Sequence, residues 1–168
     1  MERLKRILGS PQPRPEYQYD SLPNATTYTR LFRLLPRDSS AAEICGTLIQ
    51  VPIDSMPSYK AISYMCGHDK PEHLIVVDAM KFMVRRNLFD FLSHQGFNSA
   101  NVWLWIDAIC ISQDNLPEKG AQVRMMGSIY KHADSVLVWL GLAEKDSEYA
   151  LGKVLRFVLN ALMSPRLH

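Results

Sequence analysis

Residues 102–115 read V-W-L-W-I-D-A-I-C-I-S-Q-D-N, and the fold turns on how this stretch is taken. Across 102–111 every residue except Asp107 is apolar, most are β-branched or aromatic, and neither Gly nor Pro interrupts. That composition predicts a strand, and the lack of alternation predicts burial on both faces, as at the centre of a parallel sheet flanked by helices. A buried carboxylate costs several kcal/mol, about as much as a domain can spare, unless it is paired or hydrogen-bonded. Asp107 is therefore either a structural key or a site residue. The polar S-Q-D-N that follows ends the strand at its carboxyl end, where open α/β sheets bind ligands.

Downstream, Asn115 is placed to cap a helix with Pro117 and Glu118 in its first turn and an apolar face of Val123, Met126, Tyr130 and Ala133. S-V-L-V-W-L-G at 135–141 reads as another buried strand, and Ser147 caps a helix striped by Leu151, Val154, Leu155, Val158, Leu159 and Leu162. Upstream, Y-K-A-I-S-Y-M-C-G at 59–67 is a short strand ending on a glycine. Residues 74–77 and 81–84 form a hairpin around Asp78, although Gly is the residue expected after it. Leu88, Phe91 and Leu92 mark a helix over 87–95 that Gly96 stops. Residues 28–35 and 44–51 look like an antiparallel pair laid on one edge, and the Pro-rich 1–27 like an arm with at most a helical turn at Leu4, Ile7 and Leu8. The fold expected is α/β, with 61–64, 102–111 and 136–139 as neighbours in one mostly parallel sheet with flanking helices and N-terminal antiparallel additions.

The 168 residues suffice for one core, and the 47% hydrophobic content is ordinary for a soluble domain. Nineteen basic residues against seventeen acidic ones are scattered, which gives no footprint for nucleic acid. Cys45, Cys66 and Cys110 are odd in number and widely spaced, so neither a disulfide framework nor a metal knuckle is signalled and a reducing cytoplasm is expected. No apolar run reaches membrane-spanning length.

Several blocks, taken together, resemble the fungal heterokaryon incompatibility (HET) domain: Y-K-A-I-S-Y-M-C-G at 59–67, V-R-R-N-L at 84–88, L-W-I-D-A-I-C-I-S-Q-D-N at 104–115 and V-W-L-G at 138–141. Between the last two blocks, Glu118, Lys119, Gln122, Val123, Met126, Ile129, Tyr130 and Ala133 match as well. The sequence departs from the family pattern at Cys66, where Trp is usual, and at Ser112, where Asn is usual. On this resemblance residues 28–145 make the HET domain, 1–27 an arm, and 146–168 an amphipathic helix leading into a downstream region. The resemblance implies a TIR-like, flavodoxin-like fold and a cytoplasmic effector of regulated cell death in fungal allorecognition. Because some TIR domains cleave NAD with a glutamate, it also implies a candidate NAD hydrolase, with NAD as substrate and no bound cofactor. The rival is a non-catalytic scaffold that acts by self-association and recruitment of a signalling partner.

For the enzymatic reading Glu118 is the first catalytic candidate and Asp107 the second, with Ser63, Tyr64, Gly67, Gln113 and Gln122 as substrate-binding candidates. Each has a plain alternative. Asn115 and Glu118 have the spacing of a capping box, Asp107 can fix the fold, Gly67 can serve a turn, and Gln113 and Gln122 can cap the strand-to-helix turn. Cys110 with His68 or His132 would supply a thiol nucleophile, but a cysteine in an apolar strand is usually an inert small hydrophobe.

Overall fold

In the computed structural model, which describes residues 13–37, 42–67, 69–95 and 102–142, the apolar run at 102–111 divides after its first turns of chain. Only Trp103–Trp105 is a strand, and Asp107–Cys110 is a single helical turn. The expected ten-residue strand is thus a three-residue strand followed by a buried helical turn. Ile109 and Cys110 are fully enclosed, so burial alone made this run apolar, and an unbroken apolar run does not distinguish strand from buried helix.

In chain order the strands are β1 (Tyr28–Leu34), β2 (Cys45–Pro52), β3 (Tyr59–Tyr64), β4 (His73–Val77), β5 (Met80–Val84), β6 (Trp103–Trp105) and β7 (Ser135–Trp139). The helices are α1 (Arg86–Gln95), α2 (Asp107–Cys110) and α3 (Leu116–His132), with a 3-10 turn at Ile53–Ser55. All strands join one sheet in the order β5-β4-β2-β1-β6-β3-β7. As the sequence suggests, β6, β3 and β7 are parallel neighbours, with Ala61 opposite both Trp105 and Val136. The sheet as a whole is mixed rather than mostly parallel, since β1 runs antiparallel to both β2 and β6, and β4 antiparallel to β5. Nor is the β1–β2 pair an edge addition. β1 lies inside the sheet with both edges paired, and Thr29, Arg30, Leu31 and Phe32 on it are all buried.

Strand alternation places Tyr59, Ala61 and Trp105 on one face, and Ile62, Tyr64 and Trp139 on the other. α3 covers the first face: Tyr130 meets Trp105 edge-on at 5.5 Å, and the Tyr59 hydroxyl donates to the Ile129 carbonyl. α1 covers the second, through Phe91 against Trp139 at 5.7 Å. Of the apolar face expected on α3, Met126, Tyr130 and Ala133 pack against the core, and the difference lies nearer its start. Val123 is exposed, while Glu118, Ala121, Gln122 and Ile129 are buried, so the helix turns two polar side chains inward.

Where β2 meets β1, a Cβ on Gly46 would lie 2.2 Å from the Phe32 ring, so only glycine fits at that register. The β4–β5 hairpin turns through Asp78 and Ala79 at φ 49° and 65°, both left-handed, which suits the twist of the strands. Asp78 is held there by the Leu48 N–H, whereas Ala79 bears the steric cost of a Cβ in that region. Ala79→Gly is therefore expected to raise the unfolding free energy by about 1 kcal/mol. The check is a higher urea midpoint with an unchanged slope. The helix expected from Ser147, the turn at Leu4 and the stop at Gly96 lie outside the described residues.

Candidate functional site

A cleft of about 530 Å³ opens beyond the carboxyl ends of β3 and β6 and extends under β5. Two neighbouring parallel strands deliver its polar floor: β3 ends on Tyr64, with Cys66 two residues on, and β6 is followed by Asp107 at the start of α2. Its other wall carries Tyr17, Tyr19 and Phe82, and Lys81, Arg85 and Lys119 stand around it with Glu16 and Asp114. A space of this size holds a small ligand, and its mixture of aromatic rings with both signs of charge suits one that is itself part planar and part charged.

Asp107 is the half-buried acid of this floor. Burial pushes its pKa up from the ordinary aspartate value, against the opposing pull of the Ala108 N–H, the Tyr64 hydroxyl and the charge of Lys119. The Ala108 N–H bond is 2.7 Å. Burial, the charge of Asp107 and the nearby Cys66 also raise the Tyr64 phenol, which therefore stays protonated as a donor. Arg85 crosses the loop after β3, donating to Cys66 Sγ at 2.8 Å and to the Gly67 carbonyl at 3.3 Å. Gly67 has φ 70°, the left-handed conformation that lets the chain turn back there.

The remaining sequence-derived candidates separate cleanly. Gln113 lines the cleft, but its amide donates to the Asp107 and Ile111 carbonyls and so ties α2 to the turn behind it. Ser63 sits within β3 opposite Val138 and does not line the cleft. Glu118 and Gln122 do not reach the cleft either. The Asn115 side chain does cap α3, accepting the Glu118 N–H at 3.1 Å, but the reciprocal half of the capping box is missing. Glu118 instead grips Arg30 at 2.6 and 3.1 Å and accepts the Ser112 N–H at 3.1 Å. Gln122 accepts from Thr29 at 2.8 Å and donates to the Ala25 and Tyr28 carbonyls at 2.7 Å. Both are bolts between α3 and the buried strand β1. Cys110 is enclosed and its thiol is pushed up to about 12 by burial, so it is no nucleophile.

Sequence reasoning passed over Tyr17, Tyr19, Phe82, Arg85 and Lys119. A signal existed for the first two, which alternate as Y-x-Y in a stretch too short of apolar residues to need them for a core of its own.

Residues 59–161 match the family model described as heterokaryon incompatibility protein (HET). The chain belongs to this family. Heterokaryon incompatibility protein 6, OR allele, of Neurospora crassa is 36% identical to it over 146 residues, covering 78% of this chain and 22% of that protein. The chain thus spans about a fifth of the length of this curated relative. No solved structure matches. The part matched to the HET family holds Tyr64, Arg85, Asp107 and Lys119, whereas Arg30, Thr29 and the aromatic pair Tyr17 and Tyr19 precede it. Among the described residues no helix is long and apolar enough to cross a membrane, and no three His, Cys, Asp or Glu side chains converge as metal ligands would.

Proposed function

We propose that this HET domain is a cytoplasmic effector of fungal incompatibility that drives regulated cell death by hydrolysing NAD at the nicotinamide glycosidic bond. Membership of the family and the name of the Neurospora relative support the cell-death part. The parallel trio β6-β3-β7 with helices on both faces supports a TIR-like core, here extended by β1, β2, β4 and β5. The observation that carries the chemistry is Asp107, a half-buried carboxylate facing a cleft at the ends of two parallel strands, with Tyr64 beside it and cations around it.

In the reaction the bond from the ribose anomeric carbon to the nicotinamide nitrogen breaks, and its electron pair leaves with the ring, which becomes neutral nicotinamide. Positive charge develops on the ribose, where ionised Asp107 stabilises it electrostatically. Water adds to that carbon and loses its proton to the solvent, giving ADP-ribose. Arg85 and Lys119 offset the diphosphate charge, and the aromatic wall accepts a planar ring. Because only the ionised acid serves, the acid limb of the rate profile is expected above the ordinary aspartate pKa of 3.8, in the direction that burial shifts Asp107.

The test is chromatographic measurement of nicotinamide release by the purified chain, alongside killing on expression in a fungal host. Release together with killing is the expected result. Killing with no NAD consumed would instead favour a scaffold that acts by self-association.

A further inference from the structure

Tyr17 reaches the cleft on a strap that has no core of its own. The strap's backbone docks on β5, with Lys81 N–H donating to the Pro15 carbonyl and Tyr17 N–H to the Lys81 carbonyl, both at 2.8 Å. Arg14 pairs with Glu43 at 2.7 Å, and the Tyr19 hydroxyl donates to the Ile109 carbonyl at 2.8 Å. The strap thus ties β5 to α2 across the cleft. Its two tyrosines and Phe82 form one cluster, with Tyr17 5.0 Å from Tyr19 and 5.5 Å from Phe82. Tyr19 is already committed, since its hydroxyl is bonded and Arg30 lies over its ring at 4.8 Å. Tyr17 is half-buried and lines the same cleft as Asp107, Arg85 and Lys119.

We infer that Tyr17 is a specificity-determining residue: it supplies the ring against which the planar base of a phosphorylated ribonucleoside stacks, while Arg85 and Lys119 hold the phosphate. This deepens the nucleotide reading above and rests on it. An aromatic face is tolerant of which base it meets, so the shared chemistry is a flat heteroaromatic ring on a ribose phosphate, as in either half of NAD. Tyr17 and Tyr19 lie before the stretch matched to the family, and Phe82 lies within it.

Binding is tested by calorimetry on the whole chain with AMP, nicotinamide mononucleotide and ribose 5-phosphate. At least one base-bearing compound is expected to bind about tenfold more tightly than ribose 5-phosphate, the scale of one base-aromatic stack. Tyr17→Ala should erase that advantage and leave ribose 5-phosphate binding unchanged, while Tyr17→Phe should keep it. A melting curve on each variant separates this from unfolding. The inference is overturned if the base adds no affinity, if Tyr17→Ala weakens all three ligands alike, or if it weakens none. Failure to hydrolyse NAD with base-selective binding intact would count against the hydrolase and not against Tyr17.

Discussion

Glu118→Ala is expected to destabilise the domain by about 3–5 kcal/mol, because it strands a buried guanidinium. Arg30 is 2% exposed and Glu118 5%, so neither charge has water to fall back on. The carboxylate meets the guanidinium through two bonds, and the rest of Arg30 is spent on the Cys110 carbonyl at 3.1 Å and the Asp20 carbonyl at 2.7 Å. Alanine removes the anion and leaves the cation in place. Against a total stability of about 5–15 kcal/mol, that loss should move the urea midpoint by about 2 M. Glu118→Gln is no rescue, since it offers the guanidinium a neutral amide, half of it a donor. Replacing Arg30 as well removes the unpaired charge but orphans the two carbonyls, so the double variant should recover only part of the loss. The pH dependence supplies a check. Burial opposes ionisation of Glu118, but the Arg30 hydrogen bonds, the Ser112 N–H and the charge of Arg30 outweigh it and hold its pKa below 4.5. Its contribution is therefore present above the unfolded value and lost as pH falls through the lower folded one. In Glu118→Ala that loss on acidification should disappear. An alanine variant with the parent's midpoint at pH 7 would show that the pair does not hold α3 to β1.

Asp107→Asn should do the opposite, lowering NAD hydrolysis about a hundredfold or more while leaving the fold intact. Asparagine can still accept the Ala108 N–H through its amide oxygen, and the Tyr64 hydroxyl can still donate to it. What it cannot do is carry negative charge toward the developing ribosyl cation. Because burial raises the folded pKa of Asp107, the acid favours folding at low pH and that contribution is lost as pH rises through the raised value. The neutral isostere escapes this loss, so at pH 7 Asp107→Asn should melt at or above the parent temperature. Nicotinamide release and a melting curve on the same preparation read both effects. A variant that hydrolyses NAD at the parent rate would remove Asp107 from the reaction.

Of the two acids that the sequence offers as catalytic candidates, the first, Glu118, is bound to Arg30 away from the cleft and the second, Asp107, lines it, and the reason is physical. Glu118 looks available in sequence because its spacing from Asn115 describes a local capping box. Its partner Arg30 is 88 residues away, where no local pattern can announce it. The parallel neighbours β3 and β7 were legible because short apolar runs bounded by polar loops have few other readings, and the N-cap at Asn115 was legible because capping is local. The central position of β1 was hidden by its two arginines, which at this spacing put one charge on each face of Y-T-R-L-F-R-L-L and so argue against a strand buried on both. In the fold Arg30 is neutralised by Glu118, and Arg33 lies 4.7 Å over the Trp103 ring. Of the cleft floor, Tyr64 could be anticipated from its place at the end of a strand, whereas Asp107 stood out as a charge in an apolar run but was set inside a longer strand than β6 proves to be. For the aromatic wall of the cleft the Y-x-Y of Tyr17 and Tyr19 was the one signal, and it gave no location, because the strap docks on β5 by backbone pairing at Pro15 and Tyr17 that carries no side-chain code.

The double pairing of β1 also sets an order of events during synthesis. β2 follows β1 closely in the chain and can form its antiparallel ladder early, whereas the other edge waits for β6, where Phe32 meets Leu104. Contacts of such wide sequence separation are slow to form, since the loop between them must close before they return any stability. A growing chain that has emerged as far as β5 therefore holds a strand with one ladder unmade. Arg30 and Arg33 place two positive charges along that strand, and charge on an open edge discourages a second chain from docking there. Only when Trp103 and Glu118 emerge does Arg33 gain its indole and Arg30 its carboxylate, and the same two cations that guard the half-made sheet become part of what closes it.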